Sequence, residues 1–275
     1  MKTRLWILAP LALTLTACPR ENDDEALTAA EARQALEETQ LASQAETLAS
    51  GTVEIATNFT IGQLVEDAAQ EIRTFIESQL PCAEVTVSAG SLEVEYGARE
   101  GECTYAGQTY SGVHRIDVER NDDGDVLVHH VWDELCNQQV CVSGNADVTW
   151  SSREASRRVV HQLTWTRLSD GRTGTGSGDR MQTALAGGVL EGIEVNGSRS
   201  WEGQRGTWDL AIDGVQMRWI DPVPQAGSYT LATPADKSLT MAFERQDEDT
   251  IRVTVTSGDR GFHFDVTALG ISQSD

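Results

Sequence analysis

The chain has no apolar run long enough to cross a bilayer: its longest, Leu5 to Leu15, is broken by Pro10 and Thr14 and falls short of the ~20 residues a membrane helix needs. It has no Cys-x-x-Cys, the spacing expected of a redox pair or a zinc ribbon. Gly174-Thr175-Gly176-Ser177-Gly178 is not followed by the lysine or the helix of a phosphate loop, and Ser177 is not framed as a nucleophile elbow, so the glycines read as a close-packed or bulged strand. Basic residues are few. Against 43 Asp and Glu stand 21 Lys and Arg, a net charge of −22, which argues against binding nucleic acid and fits a soluble, acidic surface. No Pro/Ser/Gly linker divides the chain. The nearest to one is Asp221-Pro222-Val223-Pro224-Gln225-Ala226-Gly227, where two prolines interrupt regular pairing.

What is present begins with an address. Lys2 and Arg4 precede the Leu5 to Leu15 run, the layout of a secretory signal, and Leu15-Thr16-Ala17-Cys18 resembles the lipobox of bacterial lipoproteins. That resemblance implies removal of residues 1–17 as a signal peptide. Cys18 would then become the mature N-terminus, carrying diacylglycerol and an amide-linked acyl chain, and the membrane would be a partner through those chains. Two or more chains give stable anchoring. In such lipoproteins an Asp after the cysteine marks inner-membrane retention; here the residue is Pro19, so the expected location is the outer membrane. Beyond the lipobox, the chain resembles uncharacterised lipoproteins of Gram-negative bacteria, a likeness that implies no activity.

With Cys18 lipidated, Cys82, Cys103, Cys136 and Cys141 form an even set in an oxidising compartment, where disulfides are expected. Three pairings are possible. Cys136 and Cys141 flank a hairpin loop, which favours Cys136 with Cys141 and, by remainder, Cys82 with Cys103.

Residues 18–25 read as an acidic tether. Residues 26–50, rich in Ala, Glu and Gln, have high helix propensity but a thin apolar face, and read as a helix or a partly ordered stalk. The β domain is placed at 51–275. It is led by a firmer helix over 60–80, where Thr60-Ile61-Gly62-Gln63 fits a capping box and Ile61, Leu64, Val65, Ala68, Ile72, Phe75 and Ile76 recur at helical spacing. From Val85 to Val266 the period is 2, with turn signals such as Asp123-Gly124 and Asp213-Gly214 between runs. The expected fold is mainly β with an N-terminal helix (α+β): a large curved antiparallel meander, half-open barrel or sandwich, covered by one helix. Some fifteen strands exceed what an open sheet carries without curling.

Chemistry is sparse. Asn121-Asp122-Asp123-Gly124-Asp125 resembles a calcium loop, but His130 stands where a bidentate Glu is required, so a hairpin turn is expected. His129 and His130 point to opposite faces of one strand, and His161 shares a face with Val159, Leu163 and Trp165, which reads as a core histidine. The sequence therefore predicts no catalytic residues, no metal and no cofactor. The leading expectation is a non-enzymatic, lipid-anchored envelope protein that binds or assembles with an envelope protein or a lipid. One alternative is a carrier of lipid or another apolar ligand, lined by Phe75, Ile76 and the tryptophans, with Trp201 the most exposed of them. Another is an envelope glycan hydrolase using carboxylates that no motif singles out.

Overall fold

In a computed structural model the described residues are 26–57, 65–105, 108–151, 153–154, 156–188, 191–203, 206–218, 220–221, 223–267 and 270–274. Cys18, the signal peptide, the tether and the capping box at 60–63 lie outside them, as does Trp219. The elements in chain order are α1 (Ala29–Thr57), α2 (Val65–Gln79), β1 (Ala83–Ser88), β2 (Ser91–Tyr96), β3 (Thr104–Tyr105), β4 (Gln108–Thr109), β5 (Ser111–Arg120), β6 (Val126–Cys136), β7 (Val140–Ser151), β8 (Ser156–Arg167), β9 (Thr173–Ala184), β10 (Gly192–Gly203), β11 (Gly206–Arg218), β12 (Ala226–Ala232), β13 (Ser238–Arg245), β14 (Ile251–Ser257), β15 (Arg260–Thr267) and β16 (Gly270–Ser274).

Fourteen strands form one antiparallel sheet in the order β1-β2-β5-β6-β7-β8-β9-β10-β11-β12-β13-β14-β15-β16, with β3 and β4 as a separate hairpin. Apart from β2, which pairs with β5 past the β3–β4 hairpin, each strand of the sheet pairs with the next one along the chain, because short turns leave a strand no other neighbour to reach. The sheet is open, its first and last strands unpaired with each other. The Asp-Gly stretch at 121–125 is a hairpin turn: Gly124 has φ 82° and Asn121 Oδ1 accepts from the Asp125 amide at 2.8 Å.

Period-2 patterning places one set of side chains inward. On β8, for example, Val159, His161, Leu163 and Trp165 are buried while Gln162 and Thr164 between them are exposed. Two helices cover this face, where one was expected. α2 packs mainly on β1, while α1 contacts β6, β7 and β8. Residues 26–50 are therefore part of the folded domain rather than a stalk, and the boundary placed at 50/51 falls inside α1. Of the two alternatives the helix is the one observed; its packing was not legible because the buried stripe of α1, including Ala35, Glu38, Leu41, Ala42, Ala45, Glu46, Leu48 and Ala49, contains alanines and glutamates that hydrophobic patterning does not weigh. Its N-terminus is a capping box: Glu31 accepts from the Thr28 amide at 2.7 Å, and the Glu31 amide donates to Thr28 Oγ1 at 3.3 Å, satisfying two otherwise unpaired donors.

The main core joins both helices to β1, β2 and β5–β8, with Leu48, Ile76, Leu80, Ile116 and Leu135 fully buried; each contributes ~1.5–3 kcal/mol relative to exposure. A second cluster sets Ala35 and Ala42 against β10–β12. A third lies on β13–β15. Both expected disulfides form, Cys82–Cys103 with Cα atoms 5.3 Å apart and Cys136–Cys141 across the β6–β7 hairpin.

Candidate functional site

The inner face carries charge where α1 crosses β9 and β10. Antiparallel pairing puts directly opposed residues on one face, and the partners of Gly178 are His161 on β8 and Arg199 on β10. Arg180, two residues on, shares that face. From above, Glu46 of α1 reaches down between the arginines, pairing with Arg180 at 2.5 Å and with Arg199. About two helical turns earlier, Glu38 pairs with Arg172. Both glutamates are buried, at 3% and 5% exposure for Glu38 and Glu46. Three cations thus meet two carboxylates beneath the helix.

Aromatic rings frame the arginines. The Arg199 guanidinium carbon lies 5.9 Å from the centre of the Trp201 ring, within cation–π range, and Trp201 stacks nearly parallel on Trp208 at 6.3 Å. Glycines on β9 make room: a Cβ at Gly174 would meet the Trp165 ring at 2.1 Å, and one at Gly178 would meet His161 at 2.4 Å. The close-packed-strand reading of the glycine run therefore holds. A void of about 20 Å³ remains among Glu46, His161, Arg199, Trp201 and their neighbours, enough for one water and too small for an acyl chain.

Burial governs the titration here. Desolvation lowers the His161 pKa to about 4, so the imidazole is neutral at neutral pH. It also lowers Arg199 and raises Tyr229. Among the described residues, Trp201 Nε1, Trp208 Nε1, Arg172 Nε and Arg180 Nε are buried N–H groups without a hydrogen-bond partner. Glu38 Oε2 and both Glu46 carboxylate oxygens are likewise buried without a hydrogen-bond partner, so the excess is one of charge, three guanidiniums to two carboxylates, and what the cluster is equipped to bind is an anion.

A second buried polar group sits under the other end of α1. His114 Nε2 and His130 Nδ1 are 2.9 Å apart, Tyr96 Oη lies 3.4 Å from His114 Nδ1, and both imidazoles stack with Trp132. Burial lowers His114 to about 3 and His130 well below its ordinary value. This stack is sealed in the main core. His129, on the opposite face as expected, pairs at the surface with Asp147 at 2.6 Å. No group of three His, Cys, Asp or Glu among the described residues is placed to hold a metal.

The residues proposed to line a carrier cavity do not line one together. Ile76 is fully buried in the main core. Phe75 is only partly buried and meets Tyr105 edge-on at 6.1 Å. Trp201, expected to be the most exposed tryptophan, is 3% exposed, because its strand parity turns it inward onto Trp208. The glutamates and arginines were missed as a set since acids were assigned to the surface. A usable signal existed: Glu38 and Glu46 fall in step with Leu41, Ala42, Ala45 and Ala49 at helical spacing, and Arg199 has the parity of Trp201.

No family model matches the chain, and no curated protein or solved structure matches it.

Proposed function

We propose that this chain is a lipid-anchored protein of the outer membrane that acts by binding, held through acyl chains on Cys18, with a lipid or an envelope protein as its partner. The observation that supports this best, beside the lipobox, is where the folded domain begins. The Leu27 amide donates to Ser257 Oγ at 3.0 Å, Lys237 Nζ donates to the Ala26 carbonyl at 3.2 Å, and Arg260 donates to the Leu27 carbonyl at 3.5 Å. These partners lie at the β12–β13 and β14–β15 turns, which in a meander share one rim of the sheet. Cys18 is then at most about 27 Å from that rim along an extended chain.

Charge is distributed to suit such an orientation. At the tethered rim Arg172, Lys237 and Arg260 balance Asp170, Asp236 and Asp259, whereas the opposite rim carries Asp122, Asp123, Asp125, Asp247, Glu248 and Asp249 in two turns. An acidic rim turned away from an anionic surface avoids like-charge repulsion.

Carriage of an apolar ligand is the second reading, favoured by the incompletely covered apolar face of β13–β15, where Met241, Val255 and Phe264 are partly exposed and Phe262 is 48% exposed. The anchor is tested by expressing the full chain and its Cys18→Ser variant in a Gram-negative host. Wild type is expected in the outer-membrane fraction, with acyl mass on an N-terminal Cys18, and the variant without acyl mass. Equal partition of both, or an unacylated wild type, would overturn the proposal.

A further inference from the structure

The strand register joins the buried arginines to the open apolar face by a single rung. Arg180 pairs with Gly197, Gly197 with Ile212, Ile212 with Tyr229, Tyr229 with Met241, Met241 with Val255, and Val255 with Phe262. Directly paired residues share a face, so all seven positions lie on the inner side of the sheet. At ~4.8 Å per strand the six intervals cover about 29 Å. The line runs from a buried end to an open one: the Arg180 side chain is 14% exposed and Ile212 7%, whereas Phe262 is 48% exposed. Gly197 is the one position without a side chain. Its φ of +138° and the 2.1 Å separation its Cβ would have from the Asp179 carbonyl oxygen exclude any larger residue beside the arginines.

One end of this rung is cationic, with two guanidiniums on one carboxylate, and nearly enclosed; the other is apolar and open. We propose that it is the seat of an anionic amphiphile, with an oxyanion headgroup on Arg180 and Arg199 and an alkyl chain along Tyr229, Met241, Val255 and Phe262, and that Glu46 fills the headgroup position in the arrangement seen here. Glu46 supplies what such a headgroup would supply, two oxygens on two guanidiniums. The 20 Å³ void does not admit a headgroup beside it, so binding displaces Glu46 and lifts the first half of α1. That half faces β10–β12 with the alanines Ala35 and Ala42 and has Leu41 as its large apolar anchor in the main core, with Glu38–Arg172 and Glu31–Lys237 as further ion pairs, whereas the second half is fixed by Leu48, Val53 and the Thr52–Trp132 hydrogen bond. A buried ion pair gains little net stability because desolvation offsets its attraction, but losing one partner leaves a costly unpaired charge, so Glu46 can leave only as the headgroup takes its place on the arginines and Glu46 itself reaches solvent.

This inference rests on the binding reading and not on the anchor. The test uses the full chain with Cys18→Ser, which carries no acyl group of its own, titrated with dodecyl phosphate below its micelle-forming concentration and followed by tryptophan emission and hydrogen exchange. Saturable one-to-one binding is expected, with faster exchange at residues 35–46 and little change at 48–53. Inorganic phosphate at millimolar concentration should compete, and Arg199→Gln, which leaves the Glu46–Arg180 pair, should weaken binding about tenfold or more, the effect of losing one charge-assisted hydrogen bond. Phe262→Asp should weaken it too, with an unchanged melting temperature. Equal affinity for dodecyl maltoside would overturn the headgroup assignment. A full response to inorganic phosphate alone would overturn the amphiphile, and unchanged exchange in α1 would overturn the displacement. Since none of these readouts depends on lipidation, failure here is distinct from failure of the fractionation experiment.

Discussion

Trp132 on β6 donates its indole N–H to Thr52 Oγ1 in α1 at 2.8 Å, across 80 residues of sequence and with both side chains buried. The same hydroxyl donates to the Ala49 carbonyl at 2.8 Å, so one atom links the sheet, the helix side chain and the helix backbone. Thr52→Val keeps the volume and removes the acceptor, leaving a buried indole N–H unpaired. Stability should fall by about 1–3 kcal/mol, read as a lower urea midpoint with an unchanged denaturant slope.

Alternate glycines of β9 should respond differently to the same change. At Gly174 an added Cβ runs into the Trp165 ring, whereas at Gly176 its nearest contacts are at 3.6 and 3.7 Å. Gly174→Ala should therefore cost about 1–3 kcal/mol through overpacking, with a changed near-ultraviolet circular dichroism signal. Gly176→Ala should stay within about 0.5 kcal/mol of wild type.

Acid should destabilise the fold before its carboxylates titrate. His114 and His161 are held at about 3 and about 4 by burial, against an ordinary value near 6.5. The unfolded chain thus takes up these protons first as pH falls through ~6.5, and stability is lost from there downward. Each contributes a loss of about 2 kcal/mol by pH 5. Urea midpoints measured from pH 7.5 to 5 should decline, and His161→Gln should flatten the decline; a midpoint independent of pH over that range would contradict the burial of both rings.

The two disulfides should differ in worth. Cys82–Cys103 closes a separation of 21 residues and Cys136–Cys141 one of 5, and loop-closure entropy gives about 3 and about 2 kcal/mol respectively. Double Cys→Ala variants compared by thermal unfolding should rank in that order, the 82/103 pair losing more.

Much of the sheet was legible because alternation is a local property: Val159, His161, Leu163 and Trp165 announce both a strand and its inward face without reference to anything distant. The pairing of Cys136 with Cys141 was equally local, two positions facing across one hairpin. α1 was less legible. Its inward stripe holds Ala35, Ala42, Ala45 and Ala49 with Glu38 and Glu46 among them, and nothing in the helix itself says that these carboxylates are buried.

Sequence alone thus determined the strand periods, the meander and the Cys136–Cys141 bridge, which follow from backbone geometry over a few residues, while Cys82–Cys103 followed only by remainder and the extent of α1 was not fixed. The site was decided by tertiary structure. Glu46 meets Arg180 and Arg199 only because the register of β9 and β10 brings those arginines side by side and α1 crosses above them. Trp201 is hidden for the same reason, since burial is conferred by the element packed against a face and strand parity determines only which face that is.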